Sequence, residues 1–212
     1  MLKYGQVVEL KLNSLLCTAG EPILQAYFPT DGFISQIVST QNTDTLATNL
    51  VGCEGMLGAT LLLGEKNAPI TAVVHRAGTA LSMTSSQLCR ALCQNPALLQ
   101  SLNRYLFATL RDWAQAALCA HFHQREERLS KWLLMADDRT HQSAFYITQD
   151  TLAKLLGIQR NSVTVAANGL RKKHLIQYDG DNINITNRLG LESVACQCYS
   201  GINKTVKRVT PC

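Results

Sequence analysis

The chain has 212 residues, 46% of them apolar, enough for one large domain or two modest ones with real hydrophobic cores and no need of disulfide staples. No apolar run approaches the roughly 18 to 20 residues that span a bilayer, and the first residues lack the apolar core of a signal peptide, so the expectation is a cytoplasmic protein with no membrane partner. The net charge of +5 is unevenly spread: residues 1–103 carry five Lys and Arg against six Asp and Glu, residues 104–212 fifteen against nine, which turns the C-terminal half toward polyanions.

Short β-branched and apolar stretches come first: Val7 to Leu12, Leu24 to Phe28, Phe33 to Ser39, Leu46 to Val51, Ile70 to His75 and Ala80 to Met83. Turn residues separate them, as in a small barrel. At Phe28-Pro29-Thr30-Asp31-Gly32 the proline presets one turn torsion and the glycine supplies a positive one, which marks a hairpin corner. The run Gly52 to Gly58, followed by Ala59 to Leu63, reads as a glycine-bearing loop leading into one helical turn, a place where an anion can be cradled.

From Pro96 to about His123 the period becomes helical. Leu99, Leu102, Leu106, Leu110, Trp113 and Ala117 recur every three or four residues and predict an amphipathic helix on the order of 40 Å long. Such a helix outreaches a barrel of this size, so the stripe is expected to pair with a second copy of the chain; packing on its own barrel is the alternative. A further helix, about Glu126 to Ala136, is expected to end at Asp137-Asp138-Arg139, with polar loop to Gln142.

Residues 148–173 carry the functional argument. Thr148 caps a helix, Asp150 suits its positive end, and Leu152, Ala153, Leu155 and Leu156 supply its buried side. Gly157 turns the chain, and a second helix begins at about Arg160 with Val163, Ala167 and Leu170 on one face. This is helix-turn-helix spacing, and the wing is the hairpin around Asp179-Gly180.

The outer face of the second helix offers Arg160, Asn161, Thr164, Val165 and Asn168 to a major groove: Arg for guanine, Asn for adenine, Val or a Thr methyl for thymine. Thr151, Lys154, Gln159, Ser162, Arg171, Lys172 and Lys173 are the expected supporting and phosphate-side residues, with a merely solvated basic face as the bland alternative.

In this order of parts the chain resembles the CRP/FNR superfamily of bacterial transcription regulators, over nearly its whole length. The resemblance rests on Tyr27 to Gly32, Val51 to Gly58, Arg125 with Glu127-Arg128-Leu129 and Trp132-Leu133, and Leu155-Leu156-Gly157 before Arg160 and Ser162-Val163. It implies an α+β chain: a double-sheet jelly-roll β-barrel sensor of the cyclic-nucleotide-binding type over residues 1–95, a dimerisation helix over 96–123, and a winged helix-turn-helix over 124–212. It also implies a homodimer on double-stranded DNA, with contact to RNA polymerase and a small-molecule effector left open.

The effector site departs from the family. Around Gly55, Met56, Leu57 and Gly58, members that bind cyclic AMP place a Glu, and an Arg-Ser pair on the next strand; here those positions read Met56, Ile70 and Thr71. Two charge-assisted contacts of roughly 1.5 to 3 kcal/mol each are lost, so cyclic AMP is not expected. Only Cys17 precedes residue 50, which leaves no cysteine cluster for an iron–sulfur centre, and no cofactor or metal is predicted. In the reading helix Arg160 matches the family's base-reading arginine, whereas Asn161 and Val165 replace an acidic residue and a second arginine, so the family's best-known operator is not assumed.

The eight cysteines, at 17, 53, 89, 93, 119, 196, 198 and 212, read as reduced and mostly buried small apolar residues. A thiol-based redox sensor or soft-metal site at Cys89 and Cys93, or at Cys196 and Cys198, is a minor alternative. His75, His121 and His123 show no metal-ligand spacing. Catalysis is not expected: a cupin-like enzyme needs clustered ligands where this barrel offers His75 alone, and no Gly-x-Ser-x-Gly elbow occurs. The remaining alternative, a protein-binding winged-helix scaffold, is opposed by the basic C-terminal half.

Overall fold

A computed structural model describes residues 5–41, 44–140 and 144–199. Seven N-terminal strands form two facing antiparallel sheets. One contains β1 (Gln6–Leu10), β7 (Gly78–Thr84) and β3 (Gln25–Pro29), in that order; the other contains β2 (Leu15–Cys17), β6 (Thr71–Arg76), β4 (Phe33–Ser39) and β5 (Thr45–Val51). This is the expected jelly roll, built as an open two-sheet sandwich rather than a closed barrel. β2 is an element the sequence reading lacked.

Leu10, Ile34, Val51, Ala72, Val74 and Ala80 fill the space between the sheets. Because side chains alternate along a strand, β4 sends Ile34 inward and Phe33 to its other face, where it enters a second core. The corner before β4 needs Gly32: its φ is +74°, and a Cβ there would lie 2.5 Å from the Arg76 carbonyl oxygen. A 3-10 turn, Ala59–Leu63, follows the glycine-bearing loop.

The helices then begin. α1 (Ser85–Gln94) is capped by Thr84 and Gln87 in a reciprocal box; α2 (Pro96–Phe122) is capped by Asn95, with proline at its start. Leu102, Tyr105 and Leu106 of α2 pack with Ala26, Met56, Ala59 and Leu88 of the N-terminal domain.

The C-terminal part contains α3 (Arg125–Thr140), β8 (Ala144–Tyr146), α4 (Gln149–Leu156), α5 (Arg160–Lys172), β9 (Ile176–Asp179), β10 (Asn182–Ile185) and α6 (Arg188–Val194). β8, β10 and β9 form a small antiparallel sheet in that order. Its core joins Leu129, Leu133, Leu152, Leu155, Val163, Leu170 and Ile183 to Phe33 and Leu50 from the sandwich, and the Phe33 and Trp132 rings meet edge to face at 6.1 Å. The two halves therefore share one hydrophobic core.

α3 does not stop at Asp137-Asp138-Arg139, as its composition suggested, but runs to Thr140. Each charge there has a remote partner. Arg139 pairs with Glu54 of the glycine-bearing loop at 2.7 Å, both side chains being 4% exposed. Arg188 of α6 pairs with Asp137 and, at 2.6 Å, with Asp138. Of the loop expected through Gln142, residues 141–143 lie outside the described residues.

Breaking a buried pair from one side leaves a charge in low dielectric, so Arg139→Met should cost about 3 to 5 kcal/mol in urea unfolding, and Glu54→Leu combined with Arg139→Met should recover most of it. A single-variant loss below about 1 kcal/mol would show that water reaches the pair.

Candidate nucleic-acid interface

Thr148 accepts a hydrogen bond from the Thr151 backbone N–H at 3.1 Å, which fixes the start of α4, and Asp150 sits in its first turn. Gly157 closes the helix at φ 60°, ψ 43°, a left-handed position open to glycine without strain, and its N–H reaches back to Ala153 and Lys154 carbonyls. α5 then buries Val163, Ala166, Ala167 and Leu170 against α3 and α4.

The opposite face of α5 is open. Gln159, Arg160 and Asn161 are exposed at its N-terminus, Val165 is 72% exposed one turn on, and Asn168 is half-buried. Arg171, Lys172 and Lys173 are exposed at its end, and Lys154 is exposed on α4. This puts a guanidinium, an amide and an apolar tip on one helical face with cations at its edge.

Four residues have a burial or a partner that the sequence did not show. Ser162 is buried, which removes it from phosphate reach. Thr164 donates to Gln149 Oε1 at 2.6 Å, so its hydroxyl braces α5 on α4. Lys173 is paired with Glu126 of α3. Arg160 lies 3.5 Å from Asp150, an exposed pair worth at most about 1 kcal/mol and easily exchanged for another acceptor.

The wing is the β9–β10 hairpin. Asp179 pairs with Asn182, so the two-residue connection is Gly180-Asp181, one residue later than the sequence suggested, with Gly180 at φ 59°. Its tip carries Asp179 and Asp181, so the cations near this face lie at the α5 terminus rather than on the wing.

The six α2 residues expected on a dimer interface divide. Leu102 and Leu106 are buried against the chain's own sandwich, Leu99 and Trp113 are half-buried, and Leu110 and Ala117 are exposed. A different apolar stripe faces outward: Phe107 (71% exposed), Leu110, Ala114, Leu118 and Phe122 (71% exposed). Replacing Leu106 with Glu would thus strike the sandwich rather than an interface.

At the glycine-bearing loop, Met56, Leu57 and Gly58 are buried, while Gly55, Ile70 and Thr71 are half-buried. A Cβ on Gly55 would strike the Tyr105 hydroxyl oxygen at 2.4 Å and its ring at 2.5 Å. The cavity bounded by Met56, Leu57, Gly58, Ile70, Thr109 and Trp113 holds only about 20 Å³, room for about one water. A roomier cavity of about 240 Å³ lies between the two halves, bounded by Phe33, His75, Trp132 and Ile147. Burial pushes His75 down to about 4, so its ring stays neutral at physiological pH.

The cysteines do not share one environment. Cys89 and Cys93 are exposed free thiols on α1, contrary to the expectation of burial, and Cys212 lies outside the described residues. Cys53 is disulfide-bonded, where the sequence suggested a reduced thiol. Cys196 and Cys198 are buried beside Cys119 and His123 at the end of α2. The hydrogen bond shared with Cys196, ahead of the charges of Lys131 and Arg128, pulls the Cys119 thiol well below its usual range against the opposing effect of burial.

A helix pair turned by glycine, followed by a winged sheet and joined to a double-sheet sandwich through a long helix, defines a winged helix-turn-helix protein with an N-terminal jelly-roll domain. Residues 127–194 match the family model of the Crp-like helix-turn-helix domain.

Solved structures with the same fold include FixK2 from Bradyrhizobium japonicum (15% identity, TM-score 0.76, 91% of this chain and 98% of that one). A CRP/FNR-family transcriptional regulator from Thermus thermophilus matches at 20% identity and TM-score 0.70, over 90% and 98%. The c-di-GMP-responsive global regulator CLP of Xanthomonas campestris matches at 16% and 0.69, over 87% and 95%. Among curated proteins none matches the sequence. The chain has the fold of these CRP/FNR-type proteins, with a segment that matches the Crp-like helix-turn-helix model, and the proteins so matched are described as regulators.

The two classes of α5 residue should separate in binding assays. Arg160→Ala should cost about 1 to 3 kcal/mol on a selected site and relax one base position, whereas Lys172→Ala should weaken selected and scrambled duplexes alike. Identical behaviour of the two variants in fluorescence anisotropy would overturn the division of roles.

Proposed function

We propose that the protein is a sequence-specific DNA-binding transcription regulator that acts as a homodimer on a pseudo-palindromic operator. The observation that carries this reading is the open face of α5, where Arg160, Asn161 and Val165 project away from a helix pair held rigidly by its own core. Arg chelates guanine O6 and N7, Asn pairs with adenine N6 and N7, and valine packs on a thymine methyl. Asn161 and Val165 define an operator of their own.

The dimer reading rests on α2. One face is committed to the sandwich; the other exposes Phe107, Leu110, Leu118 and Phe122 along a rod 27 residues long. A second copy related by two-fold symmetry covers that stripe with the same stripe, and sets two α5 helices about 34 Å apart in successive major grooves.

The effector reading is negative for cyclic nucleotides. The family pocket is filled by Met56, Leu57 and Trp113 down to the volume of about one water, and no cation stands at Ile70 or Thr71 to meet a cyclic phosphate.

Selection of duplexes from a random pool by the purified chain, at near-physiological salt and without added ligand, should enrich a symmetric site. If about six phosphates are neutralised per dimer, log affinity should fall against log salt with a slope of about −5. A near-zero slope would point to the protein-binding alternative. Phe107→Glu with Leu118→Glu should convert dimers to folded monomers in light scattering, with affinity for a full site reduced at least tenfold; a persistent dimer would place the interface elsewhere.

A further inference from the structure

We infer that Cys119, His123, Cys196 and Cys198 form a mononuclear Cys3His site for a borderline-soft divalent ion of the zinc class, clasping the end of α2 to the segment that follows α6. Cys119 and His123 are four residues apart at the last turn and C-cap of α2; Cys196 and Cys198 flank Gln197, just past the end of α6.

The geometry suits one ion. Cys119 Sγ and Cys196 Sγ are 3.6 Å apart, Cys198 Sγ and His123 Nδ1 are 3.4 Å apart, and all four ligand atoms lie within 4.8 Å of one another. A tetrahedral ion with bonds of about 2.3 Å to sulfur and about 2.0 Å to nitrogen needs ligand atoms about 3.5 to 3.8 Å apart. A disulfide would need the sulfurs at about 2.05 Å, so this is the spacing of ligands around a centre rather than of a closed bond.

The surroundings suit the charge. An M²⁺ ion with three thiolates and a neutral imidazole carries a net −1. Arg128 and Lys131 are both buried and border the same cavity as Cys119. Among the described residues neither has a carboxylate within ion-pair distance; Arg128 spends its donors on the Ala120 and Leu156 carbonyls. Two buried cations of this kind call for a nearby anion. Gln115 Nε2 donates to Cys198 Sγ at 2.9 Å and orients that sulfur from outside.

Three sulfurs and an imidazole select the zinc class over magnesium and calcium, and a full ligand set with three buried cysteines makes the centre structural rather than catalytic. On binding, each cysteine thiol releases its proton to solvent as the sulfur lone pair forms the metal bond, and no electrons are exchanged. Since two ligands belong to α2 and two to the far edge of the C-terminal domain, occupancy fixes the angle between them. The consequence for operator affinity, and only that, rests on the DNA-binding reading above.

The test uses the full chain, stripped with chelator under reducing conditions and titrated with Co²⁺ alone. Binding of about one equivalent, with thiolate-to-cobalt charge transfer and the intense visible bands of a tetrahedral centre, is the expected result. The spectrum should be lost in Cys196→Ser/Cys198→Ser, retained in Cys89→Ser/Cys93→Ser, and retained with shifted bands in Cys198→His, which keeps four ligands if the double variant fails to fold. Less than about a tenth of an equivalent bound, bands that survive in Cys196→Ser/Cys198→Ser, or a Cys119–Cys196 disulfide in intact-mass analysis with no cobalt uptake after reduction would each overturn the site. The readout does not involve DNA, so a cobalt-binding chain that enriches no operator would refute the regulator reading and leave the metal site standing.

Discussion

The buried pair between Glu54 and Arg139 is the constraint around which the two halves are arranged. Glu54 sits in the glycine-bearing loop of the sandwich, and Arg139 in the last turn of the helix on which the helix-turn-helix domain is built. Neither charge tolerates burial alone, so each holds the other's element in place, and the apolar contacts of Phe33 and Leu50 with the C-terminal core extend the same junction. Desolvated charges tolerate little displacement. A shift of the glycine-bearing loop must therefore move α3 with it or break the pair.

α2 faces a different demand, because it has to satisfy two apolar surfaces at once. Its inner face, through Leu102, Tyr105 and Leu106, is spent on the sandwich; its outer face, through Phe107, Leu110, Leu118 and Phe122, is not. This is why the sequence showed the helix clearly but not its orientation. When leucines and alanines lie on nearly every side, a period of 3.6 residues finds a stripe wherever counting begins, and the stripe from Leu99 to Ala117 straddles the boundary between the two faces.

Where local chemistry decides, the sequence was legible: the Gly32 corner, the Thr148 cap and the Gly157 turn all depend on residues within a few positions of one another. What stayed hidden depends on distant partners. Asp137, Asp138 and Arg139 look like the end of a helix until Arg188 and Glu54 are brought beside them. Thr164 gives no sign of bracing α4 until Gln149 takes its hydroxyl. Cys119 with His123 and Cys196 with Cys198 come as two pairs separated by more than 70 positions, so the sequence could mark the second pair but not the four-residue cluster.

The reading head is held to the rest of the chain at three places with different chemistry. Glu54 and Arg139 bind α3 by charge; Thr45 Oγ1 donates to the Lys154 carbonyl at 3.0 Å and docks α4 on β5; the Cys119, His123, Cys196 and Cys198 cluster closes the far edge of the domain on α2. The docking hydrogen bond is exposed and worth only about 1 kcal/mol, which makes it the weakest of the three. In a dimer joined along α2, a small rotation about that helix is doubled by symmetry and changes the distance between two α5 helices that must match the pitch of DNA. On the proposed regulator reading, a change at either of the two stronger attachments would act on operator affinity without reaching the base-reading face itself.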